Sequence, residues 1–172
     1  MSAEENKALV AEYIKRVWNE GDWSYAEEVV HPNVVFHDQI REGKFPPGRE
    51  GMRAAMEVVR TGMPDFTLDV HEVIAEGDLV VMRWSSTATH AGVFNGFPAT
   101  GRVATLYAIS MVRIKDGRIV EGWQEADQLG MGRQMGMVPK SEMPRPIASV
   151  LSFVIRTRDR RRGGRTRETK QR

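Results

Sequence analysis

The stretch from Thr105 to Gly130 constrains the fold more than any other part of the chain. Apolar and polar residues alternate on both sides of Lys115-Asp116-Gly117, which predicts two strands joined by a tight turn. A three-residue loop, with Gly117 in the left-handed conformation, would pair Ile114 with Arg118 and place the odd-numbered residues of both strands on one face. A two-residue loop would turn Arg113 to the opposite side. We predict the three-residue loop, which gives a shared face to Arg113, Glu121, Trp123 and Asp127.

Composition excludes several kinds of site. The chain has 172 residues, and its 41% hydrophobic content is enough to build the core of one domain. It has no cysteine, so disulfides, thiolate metal sites and cysteine nucleophiles are excluded. The four histidines show neither HxH nor HExxH spacing, so we expect no metal site. The first residues are polar and acidic, and no apolar run approaches the ~20 residues that span a bilayer. We therefore expect a soluble, cytoplasmic protein that does not bind membranes.

The positive charge of the chain is concentrated at its C-terminal end. Residues 156–172 hold nine Lys or Arg and two Asp or Glu, a net charge of +7, so the chain's total of +2 leaves −5 for residues 1–155. A mildly acidic domain is not expected to bind nucleic acid. The basic tail has almost nothing apolar to bury, and we predict that it is disordered. The extension before it, residues 139–155, ends in an apolar run (147–155) that could dock on the domain or on a second subunit.

The order of elements predicts an α+β domain over residues 1–138. Ser2 and Glu5 have the spacing of a capping box before a helix that Gly21 ends. A short second helix, a short strand and a third helix from about Arg49 to Thr61 come next. After Pro64 the pattern changes to a meander of about four long strands. Three N-terminal helices packed on a curved antiparallel sheet would leave a pocket between the two layers.

Six segments of the chain occur in the same order in one known family: NKALVAEYIKRVWNEGDW, HPNVVFHD, GREGMRAAM, MPDFTLDVHEVIAEGDLVVMRW, THAGVFNGFPATGR and DGRIVEGWQEADQLG. With them, residues 5 to 136 resemble the SnoaL-like polyketide cyclases of the NTF2-like superfamily. The resemblance implies a cone-shaped α+β barrel and a homodimer formed through the outer face of the sheet. It also implies a cyclase that closes the ring of an aromatic polyketide ester by intramolecular aldol condensation, without metal or organic cofactor.

The resemblance places the acid/base at Asp127. A carboxylate whose pKa is raised in an apolar cavity can take the acidic proton between two carbonyl groups and return it to the new alkoxide, a contribution of about 10²–10⁴-fold. The residue pattern alone offers another role for Asp127, the N-cap of a helix that follows it, and both roles can hold at once. Where the family's cyclases carry a histidine facing the aspartate, this chain has Arg113. An arginine cannot exchange a proton at neutral pH, but it could bind an enolate or a carboxylate.

The remaining candidates surround these two residues. His90, at a strand end beside a glycine-rich loop, is the third catalytic candidate. The candidate contacts with a substrate are His37, Trp123, Tyr107, Glu121 and Trp18. Each has a structural alternative. His90 could bond within a turn, and His37 and the aromatic residues could be structural. Glu121 could form an ion pair with Arg113 across the hairpin.

Two classes of function remain open on the sequence. The first is an enzyme, either the cyclase on a hydrophobic carbonyl substrate or a related tailoring hydroxylase, hydrolase or hydratase. The second is a non-catalytic module that binds a small ligand or a partner protein. An open pocket of several hundred cubic ångströms would favour the enzyme. A cavity filled by its own side chains, with Arg113 and Glu121 paired, would favour the module.

Overall fold

In the computed structural model, residues 1–37 and 44–138 are described. Four α-helices occur among them: α1 (Ala3–Tyr13), α2 (Trp23–Val29), α3 (Gly48–Gly62) and α4 (Gln128–Met135), with a π-helix at Ile14–Asn19. The strands are β1 (Val30–His37), β2 (Asp69–Glu76), β3 (Leu79–Thr89), β4 (Val103–Lys115) and β5 (Arg118–Ala126). The predicted C-terminal extension (139–155) and basic tail (156–172) lie outside the described residues.

The first helix begins at the predicted capping box. The Ser2 hydroxyl accepts the Glu5 amide hydrogen at 3.3 Å, and the Glu5 carboxylate accepts the Ser2 amide hydrogen at 2.6 Å. The α-helical spacing ends at Tyr13, and the chain continues as the π-helix. Its i→i+5 spacing brings Trp18 over Tyr13, so that the indole Nε1 donates to the Tyr13 hydroxyl at 2.9 Å. Gly21, with φ of +76°, then ends the helical segment where the sequence predicts.

The five strands form one curved sheet in the order β1-β5-β4-β3-β2. The antiparallel meander from β2 to β5 agrees with the prediction, and the α+β class with helices packed on the sheet is confirmed. One detail needs correction, because β1 joins β5 in parallel and makes the sheet mixed. This pairing brings His37 opposite Trp123 and Phe36 opposite Gly122.

The turn between β4 and β5 differs from the prediction. Lys115 pairs with Arg118, so the loop has two residues, Asp116 and Gly117, and both have positive φ as a type I′ turn requires. Such a loop alone would put Arg113 and Glu121 on opposite sides of the sheet. The pairing shifts by one residue just beyond the turn, however, and this bulge restores the pairing of Arg113 with Glu121. The three-residue loop is therefore wrong, while the predicted pairing of Arg113 with Glu121 across the hairpin is present.

The sheet has an inner face, which packs against the helices, and an outer face. Even-numbered residues of β3 and β4 are buried on the inner face, among them Val80, Met82, Trp84, Ser110 and Val112. They form one core with apolar residues of the helices, including Val10, Val17, Met52, Met56 and Met131. On the outer face of β4, Val103, Tyr107 and Ile109 are exposed. The alternation along β4 thus separates a core side from a solvent side.

Candidate active site

A cavity of about 120 Å³ lies between the inner face and the helices. About half of its lining residues are aromatic or sulfur-containing: Tyr13, Trp18, Phe36, Phe45, Met52, Met63, Phe66, Met82, Trp84, Phe94, Trp123 and Met131. The volume is below the several hundred cubic ångströms expected of an open enzyme pocket. An engineered apolar cavity of about 150 Å³ binds benzene, so this one suits a single ring or part of a larger ligand.

Besides the indole N–H groups, few polar groups from the described part of the chain lie in the cavity wall, and none of them is permanently charged. They are the hydroxyls of Tyr13 and Ser110, the amides of Asn95, Gln124 and Gln128, and the imidazole of His37. No Asp, Glu, Lys or Arg lines the cavity in residues 1–37 and 44–138. Over the same ranges, no three His, Asp or Glu side chains come together in an arrangement that could hold a metal ion.

His37 lies at the rim of this cavity, where its side chain is 47% exposed, and its imidazole has a carboxylate partner. Its ring stacks on Trp123, with centroids 5.2 Å apart and planes 16° from parallel. Its Nε2 lies 2.8 Å from Oε1 of Glu121. An ionised carboxylate can only accept a hydrogen bond, so Nε2 carries the proton and Nδ1 is the basic nitrogen of the neutral ring. The parallel pairing of β1 with β5 creates this arrangement by placing His37, the last residue of β1, opposite Trp123 within β5.

A series of ion pairs continues from Glu121 across the sheet. Oε2 of Glu121 lies 3.4 Å from Nε of Arg113, and Nη1 of Arg113 lies 3.0 Å from Oδ2 of Asp78 in the turn after β2. The ion pair between Arg113 and Glu121 is thus present as predicted. Their side chains are 36% and 32% exposed on the outer face, where such pairs contribute about 0–1 kcal/mol. Arg113 does not line the cavity.

Asp127 is exposed and serves as the N-cap of α4. Its Oδ1 accepts the Gly130 amide hydrogen at 2.7 Å, as the N-cap alternative predicts. A Cβ at position 130 would lie 2.1 Å from the Asp127 carboxylate, so the cap requires a residue without a side chain at this position. Asp127 is not among the residues that line the cavity. The structure therefore accounts for this carboxylate by its structural role.

Two further candidates also lie away from the cavity wall. Tyr107, expected in an aromatic wall, is 57% exposed because it falls on the outer face of β4. His90 is fully buried beneath the loop that follows β3, with Nδ1 3.1 Å from the Thr100 hydroxyl and its ring edge-on to Phe94. Its Nε2 has no hydrogen-bond partner among the described residues.

Of the eight candidates, three line the cavity, namely Trp18, His37 and Trp123. Sequence reasoning missed the neutral polar groups, above all Ser110 and Gln124. A signal for them exists: Ser110 is a polar residue between Ala108 and Val112 on the buried side of β4, and Gln124 lies opposite it on β5. A polar residue on a buried strand face needs a partner, and that partner is itself a candidate for the site.

Comparison with known proteins supports the fold and the family. The family model of SnoaL-like polyketide cyclases matches residues 8–135. IdmH of Streptomyces antibioticus, provisionally named a polyketide cyclase, is 32% identical, with a TM-score of 0.67 over 76% of this chain and 98% of its own. AclR of Streptomyces galilaeus, provisionally named a hydroxylase, is 30% identical, with a TM-score of 0.69 over 80% and 100%. TsrD of Streptomyces laurentii is 28% identical, with a TM-score of 0.72 over 80% and 99%. Among curated proteins, none matches the chain.

Proposed function

The chain belongs to the SnoaL-like polyketide cyclase family, and from this premise we propose that it is a cofactor-independent enzyme that cyclises a hydrophobic carbonyl substrate by intramolecular aldol condensation. The observation that carries the proposal is the pair of His37 and Glu121 at the edge of an aromatic cavity. A basic imidazole nitrogen, held by a carboxylate and stacked on Trp123, is a suitable proton acceptor beside an apolar binding site.

The proposed reaction needs one group that both accepts and donates a proton. A methylene between two carbonyls loses a proton to Nδ1 of His37, and the electron pair of the C–H bond becomes the enolate. The enolate carbon attacks a further carbonyl of the same molecule, other than the two that flank it, which forms the C–C bond and an alkoxide. The imidazolium then returns the proton to the alkoxide, so the enzyme ends as it began. Glu121 stabilises the imidazolium between the two transfers.

The first test is turnover of a panel of polyketide-type β-keto esters that carry a further ketone, followed by mass and absorbance, with wild type and His37→Gln. Glutamine keeps a hydrogen bond to Glu121 but cannot take a proton, so we expect the turnover number to fall by about 10²–10⁴-fold. His71→Gln is the matched control, because His71 lies on β2 at the other edge of the sheet and bonds to Ser85 at 2.8 Å. Equal losses in the two variants would refute a special role for His37.

Asp127 is the alternative acid/base, and it comes from the family resemblance. Asp127→Asn separates the two assignments, because asparagine caps a helix as well as aspartate does and removes only the carboxylate. If His37 is the acid/base, we expect Asp127→Asn to keep turnover within about threefold of wild type, because the variant changes only one helix cap for another of similar strength. Turnover lost in Asp127→Asn and kept in His37→Gln would transfer the role to Asp127.

Hydroxylation is the second candidate function, because the chain resembles AclR about as closely as it resembles IdmH. Oxygen consumption coupled to loss of an aromatic polyketide substrate, without cyclisation of any β-keto ester, would favour it. A ligand that binds without any turnover would favour a non-catalytic binding module.

We also propose that two copies associate through the outer face of the sheet. Val103, Tyr107 and Ile109 form an exposed apolar stripe along β4, which is an unusual surface for a strand that faces water. Ile109→Lys would place a charge within this stripe, and we expect it to convert a dimer to a monomer in sedimentation velocity. A monomeric mass for the wild type would refute the dimer.

A further inference from the structure

Three side chains on the inner face form a hydrogen-bonded row that ends at the cavity. The indole Nε1 of Trp84 on β3 lies 2.9 Å from the hydroxyl oxygen of Ser110 on β4. The same oxygen lies 3.4 Å from Oε1 of Gln124 on β5. All three residues line the cavity, and the bond between Trp84 and Ser110 is buried.

The direction of each bond in this row follows from the chemistry of its first member. An indole N–H can only donate, so the oxygen of Ser110 accepts from Trp84. The hydroxyl hydrogen of Ser110 then needs an acceptor, because its side chain is buried. Among the described residues, the acceptor offered to it is Oε1 of Gln124. A hydroxyl that donates needs the amide oxygen rather than the nitrogen, so this 3.4 Å contact favours the orientation in which Oε1 of Gln124 faces Ser110.

This orientation leaves the Gln124 amide nitrogen with two N–H donors. In the described part of the chain, that nitrogen donates to no protein acceptor, although the side chain is half-buried in the cavity wall. A donor in such a place is matched by a ligand that brings an acceptor. Among the described residues, the wall has no Lys or Arg to match an anionic ligand, and an unpaired carboxylate in an apolar site would be unfavourable.

We propose that the Gln124 amide is a carbonyl-binding subsite, and that the group it binds is an uncharged ketone or ester oxygen rather than a carboxylate. The proposal deepens the proposed function, since the same N–H groups would stabilise the oxygen of an enolate as negative charge develops on it. Trp84 and Ser110 are positioning residues, which act by holding the amide in the donating orientation.

The test compares two ligands of one shape in equilibrium binding to the intact protein. Acetophenone carries a carbonyl oxygen, and α-methylstyrene has a CH₂ group in its place. We expect wild type to bind acetophenone about tenfold more tightly, the difference of one neutral hydrogen bond. Gln124→Leu leaves the carbonyl oxygen without a donor, so we expect the preference for acetophenone to be lost in this variant. Benzoate, the charged analogue, should bind wild type more weakly than acetophenone.

Two further variants separate the residues involved. Ser110→Ala removes the hydroxyl that orients the Gln124 amide. The preference of this variant for the ketone should therefore lie between the preferences of wild type and Gln124→Leu. Gln128→Leu removes the other glutamine amide in the wall, and the ratio of the two affinities should stay near tenfold. A ratio that falls in Gln128→Leu and stays in Gln124→Leu would overturn the assignment.

The proposal is also overturned if wild type binds both uncharged ligands equally, or does not bind acetophenone up to its solubility limit. Benzoate that binds as tightly as acetophenone would overturn the preference for an uncharged group. In the nuclear magnetic resonance spectrum, acetophenone should shift the side-chain amide signals of Gln124. These readouts need no turnover, so the subsite can stand or fall independently of His37 and the aldol reaction.

Discussion

The inner and outer faces of β4 and β5 carry polar residues of different kinds, although these residues alternate along the same two strands. Ser110 and Gln124 on the inner face are neutral and bond to each other at the cavity. Arg113 and Glu121 on the outer face are charged and pair where solvent reaches them. The difference follows from the cost of burying charge, which is high without a partner and small for a hydrogen-bonded amide. The charged residues that look catalytic in the sequence thus stay outside the cavity wall, and Glu121 is linked to the wall by its bond to His37.

The same substitution, isoleucine to alanine, can be made on the inner face and on the outer face of the sheet. Ile114 on β4 is buried in the core, whereas Ile74 on β2 is 68% exposed opposite Val81. We expect Ile114→Ala to lower the free energy of unfolding by about 2–5 kcal/mol, because it leaves a cavity in a packed interior. Ile74→Ala should change it by less than about 0.5 kcal/mol.

Urea denaturation of both variants, at one protein concentration, measures the two values. Similar losses would mean that the outer face near β2 is covered by something besides solvent, and the distinction between the faces would fail at this edge.

The period-two pattern predicted β4 and β5, because alternation is a local property of each strand. The Arg113–Glu121 pair was predicted from a loop length that is wrong, and it forms through the bulge. The face that meets the helices is set by packing between distant segments, so the sequence left open which of the two alternating sets lines the cavity. The bulge next to the turn was also unpredictable, since Ile114 and Ile119 carry no residue signature for it. Asp127 shows the reverse case, because an N-cap needs only its neighbours, and that role was readable in the sequence.

Two glycines, Gly122 beside the cavity and Gly77 in the turn after β2, give a second comparison with a smaller expected effect. A Cβ on Gly122 would lie 2.7 Å from two ring atoms of Phe36, which covers this position from β1. Gly122→Ala should therefore push the ring toward the cavity, lower the free energy of unfolding by about 1–3 kcal/mol and weaken acetophenone binding.

Calorimetry of binding, with urea denaturation of the same sample, measures both effects. Gly77→Ala provides a comparison without a clash, because no atom lies within 4 Å of its added Cβ and the cost there is that of a positive φ alone. A Gly122→Ala protein that binds acetophenone like wild type would show that Phe36 moves away from the cavity instead.

The smallest effect is expected from an ion pair on the outer face. Arg83 on β3 is the direct neighbour of Glu72 on β2, and its Nε and Nη2 donate to the two carboxylate oxygens at 2.5 and 3.0 Å. These hydrogen bonds, followed by the charge of Arg83, lower the pKa of Glu72.

A carboxyl with a lowered pKa in the folded state stabilises the fold above its unfolded pKa of about 4.3, and this contribution disappears as the pH falls through the folded value. Glu72→Gln should therefore lower the urea midpoint slightly at pH 7, and the difference from wild type should shrink below about pH 4. The loss in Ile114→Ala comes from packing and should persist across the same pH range. A Glu72→Gln difference that stays constant down to pH 2.5 would show that this residue acts through packing, as the inner face does.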